Sequence, residues 1–313
     1  MNTIYNRRKF LKTAGGIGLI SLLAPVGMSL LSAKSKDEIR LIILSTNDVH
    51  SRIDPFPQND KRNAGMGGFA QRATIVQEIR HDHEHVLLLD AGDIFQGTPY
   101  FNMFGGKLEF ELMSKMAYDA ATMGNHDFDN GLEGFKKQLP YAKFPFVCSN
   151  YDFSNTILKD KTSPYIIIDK GPLKIGIIGV GIELAGLVSD KNYRETIYLD
   201  PVIQANKYAK VLKDKECDLV ICISHLGFEY KGEKISDKTL AASSKNIDYI
   251  IGGHTHTFMD SPAEVFNLDN EKVIISQAGW GGINLGKMEV IFSKNRSEKI
   301  SLTYTTKKIK SQG

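Results

Sequence analysis

Five short polar blocks in this chain follow apolar runs, and each carries side chains able to hold a cation or move a proton. Residues 47–50 read NDVH, giving Asp48 and His50; residues 90–93 read DAGD, giving Asp93. Residues 124–129 read GNHDFD, giving Asn125, His126, Asp127 and Asp129. SHLG at 224–227 supplies His225, and GGHTH at 252–256 supplies His254 and His256. Imidazole nitrogens mixed with carboxylate and amide oxygens make a donor set for a divalent metal. Taken singly, each block also reads as a wet loop, because polar residues gather wherever a strand runs into a turn. The placing of histidine argues otherwise for the set. Of eight histidines, five (His50, His126, His225, His254 and His256) stand at such ends. The other three, His81, His83 and His85, alternate with Asp82 and Glu84 and read as a solvated connection.

Something must carry these blocks to one place, and the apolar runs before them are the candidates. Short runs dense in Ile, Leu and Val predict strands at 39–46, 85–92, 119–124, 145–150, 165–169, 173–181, 218–225, 247–253, 272–279, 286–292 and 300–309. Runs of this density suit strands covered on both faces. Helical spacing recurs at 69–83, 107–117, 131–139 and 201–216; in the last, Val202, Ala205, Tyr208, Ala209 and Leu212 share a face. Alternating strands and helices predict a layered α/β domain over about residues 38–310, with no internal repeat or linker. In α/β sheets ligands bind beyond the carboxyl ends of the strands, so the five blocks are expected to converge on one edge.

In their order, NDVH, DAGDIFQGTPYF, GNHDFD, SHLG and GGHTH resemble the calcineurin-like metallophosphoesterases. More narrowly, they are similar to the catalytic domain of periplasmic 5'-nucleotidases and UDP-sugar hydrolases. The resemblance, over residues 39 to about 310, implies a four-layer α/β/β/α sandwich of two mixed sheets flanked by helices, with two divalent metals at one edge. It implies Asp93 as the bridging carboxylate, Asp48, His50 and His256 around one metal, and Asn125, His225 and His254 around the other. That set suits Zn, Mn, Fe or Co rather than Mg, and leaves the choice among them open. His126 is implied as the group that stabilises the transition state and protonates the leaving oxygen, with Asp129 orienting its ring. Asp127, where the family commonly has Glu, is read as neither ligand nor acid. The family's second, nucleobase-stacking domain is not expected here, because the chain stops at Gly313. That leaves two expectations: a separate nucleotide-binding subunit, or a domain acting alone on other phosphate esters. Trp280, Gln96 and Tyr100 lie in loops at the height of the site, without an assigned role.

The remaining features bound the setting. A composition of 42% hydrophobic and 24% charged residues over 313 positions is that of an ordinary globular protein. A net charge of +3, with Lys and Arg interspersed among Asp and Glu, argues against a nucleic-acid polymer as partner. Arg7-Arg8-Lys9-Phe10-Leu11-Lys12, then an uncharged stretch from Thr13 to Ala33, resembles a twin-arginine export signal, with Asn6 where Ser or Thr is usual. Residues 1–33 are therefore expected to be removed, leaving a periplasmic or otherwise exported protein with no membrane attachment; the rival reading is a retained anchor. Cys148, Cys217 and Cys222 read as buried free thiols, being odd in number and mostly inside apolar runs. Three functions are expected, in order: a phosphomonoesterase acting on nucleotides, a cyclic-nucleotide or UDP-sugar phosphodiesterase with the same centre, and a binding subunit that keeps the fold.

Overall fold

The computed structural model describes residues 38–296 and 299–310, and these form a compact unit. The expected export signal at 1–33 lies outside the described residues. Strands, numbered along the chain, form two large sheets and a ribbon. In the first sheet, β1 (Glu38–Thr46), β2 (His85–Asp90) and β3 (Ala120–Ala121) run parallel, and β12 (Asn284–Ser293) and β13 (Lys299–Lys308) extend it antiparallel beside β1. The second joins β5 (Tyr165–Lys170), β6 (Leu173–Gly181), β8 (Leu219–His225), β9 (Tyr249–Ile251), β11 (Lys272–Ser276) and β10 (Ala263–Phe266), parallel from β6 through β11. The ribbon pairs β4 (Tyr151–Asp152) with β7 (Ile197–Tyr198).

Alternation along the strands explains why the sheets stack. In β1, Leu41 and Ile43 point into a core shared with Ile175 and Ile177 of β6 and Ile221 and Ile223 of β8, so this core lies between the sheets. Ile42 and Leu44 point the other way, into a core with helices α1 (Phe69–Asp82), α3 (Lys107–Lys115) and α4 (Gly131–Gln138). The outer face of the second sheet, with Ile178, Val180, Val220 and Cys222, packs on α6 (Pro201–Asp214) and α7 (Asp237–Ala242). Three cores between successive layers make the four-layer α/β/β/α sandwich. Helix α6 starts where Asp200 accepts from the Ile203 N–H at 2.9 Å and Pro201 takes the first turn, where its missing N–H costs nothing. Two further helices, α2 (Pro99–Phe104) and α5 (Asp190–Tyr193), are single short turns on loops.

The strand expected at 145–150 is only a pair of isolated bridges, Phe146 to Ala121 and Val147 to Ser163. The chain crosses there from the edge of one sheet to the edge of the other, so its partner changes before a ladder can form. All three cysteines are buried and unpaired. Among the described residues no helix is long and apolar enough to cross a membrane.

Candidate metal centre

Because β1, β2 and β3 are parallel in one sheet and β6, β8 and β9 in the other, the loops leaving their carboxyl ends gather at one edge. Those loops turn sharply. Asp48, His50, Asp93, His254 and His256 all have φ between 49° and 70°, a left-handed conformation that costs a non-glycine residue about 1 kcal/mol or more. Close approach requires glycine beside them: a Cβ on Gly124 would sit 2.2 Å from Asp93 Oδ1 and 2.7 Å from His225 Nε2.

Two clusters result. In the first, His256 Nε2 lies 3.3 Å from Asp48 Oδ1 and 3.1 Å from His50 Nε2. In the second, His225 Nε2 lies 3.1 Å from Asp93 Oδ2, and His254 Nδ1 lies 2.8 Å from Asn125 Oδ1. Within Asp48, His50 and His256, and within Asp93, His225 and His254, one donor atom per residue lies within 4.8 Å of the others. Asp93 Oδ2 is also 3.8 Å from His50 Nε2, which sets this carboxylate between the clusters.

The histidines are oriented for a cation. The Ala91 carbonyl can only accept, so His225 Nδ1 carries a proton and donates to it at 2.7 Å, turning the Nε2 lone pair inward. That Nε2 is fully buried and, although Asp93 Oδ2 lies 3.1 Å away, makes no hydrogen bond of good geometry, a desolvated group that a metal ion would satisfy. His50 Nδ1 donates in the same way to the Phe95 carbonyl at 3.3 Å, leaving its Nε2 directed at His256 Nε2. The donor set and these inward-facing ring nitrogens fit two divalent cations.

Titration follows the same geometry. Burial lowers the His225 pKa, but the carboxylates of Asp93 and Asp48 overcome it and hold the ring up to about 10. Asp93 is the counterpart: burial raises it, yet His225 and His50 hold it well below the usual carboxylate range. Burial, helped by the neighbouring His225 charge, takes His254 down to about 4, and burial lowers His50 as well. His50 and His254 are thus neutral donors at neutral pH, while the proton on His225 competes with a cation for the same lone pair.

His126 stands apart from the clusters. Its backbone N–H donates to Asp93 Oδ1 at 2.8 Å, and its Nδ1 donates to Asp129 Oδ2 at 2.9 Å. That bond to Asp129 raises the His126 pKa against the opposing effect of burial. The ring lines a cavity of about 400 Å³ together with His50, His256, Arg52, Gln96 and Trp280. Tyr100 is not in its wall; its hydroxyl donates to Asp54 at 2.6 Å. The 81–85 histidines are elsewhere: His81 is exposed beside Asp82, and His85 lies on β2 against Gly171.

Three residues that sequence reasoning left without a role hold the loops. Asp127, buried beneath the centre, accepts from four main-chain N–H groups: Asp93 (3.0 Å), Ile94 (3.0 Å), Phe95 (3.1 Å) and Gly124 (2.8 Å). Burial beside Asp93 pushes its pKa up to about 8, whereas the four donors favour the carboxylate. Asn47 donates to Asp48 Oδ2 at 2.6 Å and to the Gly279 carbonyl at 2.6 Å. Gln277, just beyond β11, spans the histidine loop: its Nε2 donates to the Gly253 carbonyl at 2.8 Å, and its Oε1 accepts from the Thr257 N–H at 3.0 Å. Their only sequence signal was position next to a ligand or at the same strand edge.

Comparison with known proteins agrees with this geometry. The family model described as Calcineurin-like phosphoesterase matches residues 41–258. The chain is 34% identical over 295 residues to a snake venom 5'-nucleotidase of Gloydius brevicauda, covering 88% of this chain and 49% of the relative. The crystal structure of a 5'-nucleotidase precursor from Thermus thermophilus superposes with a TM-score of 0.79 at 30% identity, over 87% of this chain and 55% of that one. The Haemophilus influenzae NAD nucleotidase gives 0.75 at 28% identity, over 87% and 57%. The chain spans about half the length of the curated relatives it matches. The ordered blocks, the layered fold and these likenesses have one common explanation: the chain belongs to the calcineurin-like phosphoesterase family.

Proposed function

We propose that this chain is an exported, two-metal phosphomonoesterase of the 5'-nucleotidase type, releasing phosphate from nucleotides. The observation that carries the reading is the place of Asp93, whose Oδ2 lies 3.1 Å from His225 and 3.8 Å from His50. A carboxylate so placed can serve two cations. Asp48, His50 and His256 would hold one; Asn125, His225 and His254 would hold the other. When bound, such a pair supplies Lewis acidity and an acidified water at neutral pH.

The chain's own groups do the rest. Asp127 and Gln277 fix the loops that carry the donors, so the site is set before substrate arrives. His126, kept protonatable by Asp129, faces the cavity and delivers a proton to the leaving oxygen. The nucleotide assignment draws support from the relatives, which bear the names 5'-nucleotidase and NAD nucleotidase. Export draws support from the Arg7 to Lys12 block alone.

The test is phosphate release from the monoesters, and separation of the organic products for UDP-glucose and the cyclic nucleotide, by the purified chain reconstituted with Mn, Zn or Co. The substrates are AMP, UDP-glucose, a cyclic nucleotide and p-nitrophenyl phosphate. Turnover of AMP that is lost in His126→Ala is the expected result. Turnover of only the diesters would overturn the monoesterase assignment, and no turnover of any ester with any metal would overturn hydrolysis altogether.

A further inference from the structure

The cavity beside the centre holds more hydrogen-bonding capacity than the protein itself uses. His50, His126 and His256 line it together with Arg52, Gln96 and Trp280. Trp280 is half-buried and its ring lies nearly parallel to the His256 imidazole, at 13° and 5.8 Å between centroids. The Phe56 ring meets it at 80° and 5.4 Å, and the Arg52 guanidinium rests 4.1 Å above Phe56. This chain of contacts fixes the indole and the guanidinium before any ligand arrives. Yet among the described residues the Trp280 indole N–H, the Arg52 side chain and the Gln96 amide have no hydrogen-bond partner, and Arg52 makes no ion pair. Gln96, with a left-handed φ of 69°, lines the cavity with its side chain exposed to it and to solvent.

We propose that Trp280, Arg52 and Gln96 form a subsite for a planar ring bearing hydrogen-bond acceptors, the chemistry of a nucleobase, in the leaving group. The inference rests on reading the adjoining centre as a phosphoester hydrolase. A phosphoryl group at the metal clusters, with its leaving oxygen toward His126, sends the organic part of the ester into this cavity. A fixed indole offers that part an aromatic surface, and the guanidinium, amide and indole N–H offer donors matched to ring nitrogens and carbonyls. Specificity for a nucleoside is then written partly in this domain.

Trp280 is the single tryptophan of the chain, so its fluorescence reports on the subsite directly. The metal-free full chain is titrated with adenosine, uridine, ribose and inorganic phosphate. A saturable change with the nucleosides, and none with ribose or phosphate, is expected. In the metal-loaded enzyme, Trp280→Leu raises KM for AMP about tenfold or more relative to KM for glycerol 3-phosphate, whose leaving group has no ring. Arg52→Gln moves the same ratio in the same direction, which keeps the test alive if Trp280→Leu does not fold. Nucleosides that leave the fluorescence unchanged, or a KM ratio within twofold of the parent, overturn the subsite. A chain that binds nucleosides at Trp280 but releases no phosphate from any ester upholds the subsite and overturns the hydrolase reading instead.

Discussion

Gln277→Leu removes the clamp on the loop that carries His254 and His256 while nearly conserving volume. The wild-type side chain makes bonds of 2.8 Å to the Gly253 carbonyl and 3.0 Å from the Thr257 N–H, with longer ones to Asp237 (3.2 Å) and from Thr255 (3.3 Å). Most partners have a second bond to fall back on. Gly253 still accepts from the Thr255 N–H at 2.9 Å, Asp237 keeps Ser224 at 2.6 Å, and Thr255 keeps the Phe228 N–H at 3.0 Å. The Thr257 N–H is the group left without a partner. Leu removes all four bonds, but three partners keep another, so the two shorter bonds and the orphaned Thr257 donor dominate the cost, at about 2–4 kcal/mol, or roughly 5–15 °C in Tm for a domain of this size. Stability is only half of the expectation. Because the loop supplies one donor to each cluster, affinity for both metals falls about 10–100-fold. The assay is chelator competition on folded variant and parent, beside calorimetry of the metal-free forms. A lowered Tm with metal affinity within threefold of the parent would refute the positioning role and leave Gln277 as ordinary packing.

Other expectations follow from the same contacts. Asp129→Asn removes the partner that raises the His126 pKa; an acid must be protonated to act, so the alkaline limb of kcat/KM moves to lower pH, as a pH profile would show. Asp127→Asn offers an amide nitrogen where two main-chain N–H groups need an acceptor, so the Asp93 loop shifts and metal affinity falls about tenfold or more by chelator competition. Burial pushes the Cys148 thiol up to about 12 and Cys222 well above its ordinary value. A thiol reagent should therefore label the native chain far below the three equivalents found after denaturation.

Most strands that end in chemistry were legible because they are buried on both faces and so read as unbroken apolar runs, whereas the one expected at 119–124 is a strand only at Ala120–Ala121. Those at 173–181 and 218–225 match β6 and β8 closely. Shorter elements were not. β10 is an edge strand whose residues alternate between half-buried and exposed, and α2 and α5 are too brief for a helical period to register. Helix α7 starts at a capping box of Ser236 and Thr239, and threonine there is not the glutamate or glutamine that marks such a box in a sequence. In the site, donor types and order pointed to the clusters, but which donors meet was known only by resemblance. Asp127 and Gln277 were hidden for a physical reason. The four partners of Asp127 and the two shorter bonds of Gln277 are to main-chain groups, which carry no sequence identity, so nothing in the letters marks a carboxylate with four amide donors.

The claim underlying all of this is that Asp93 joins two cation sites into one hydrolytic centre. It is tested most directly by titrating the metal-free chain with Mn, Zn or Co while following bound metal and phosphate release together. The account predicts that metal binding saturates at two equivalents and that activity appears only as the second is bound. In Asp93→Asn, the second equivalent and the activity are lost together. Full activity at a single equivalent, or activity that survives in Asp93→Asn, would contradict it.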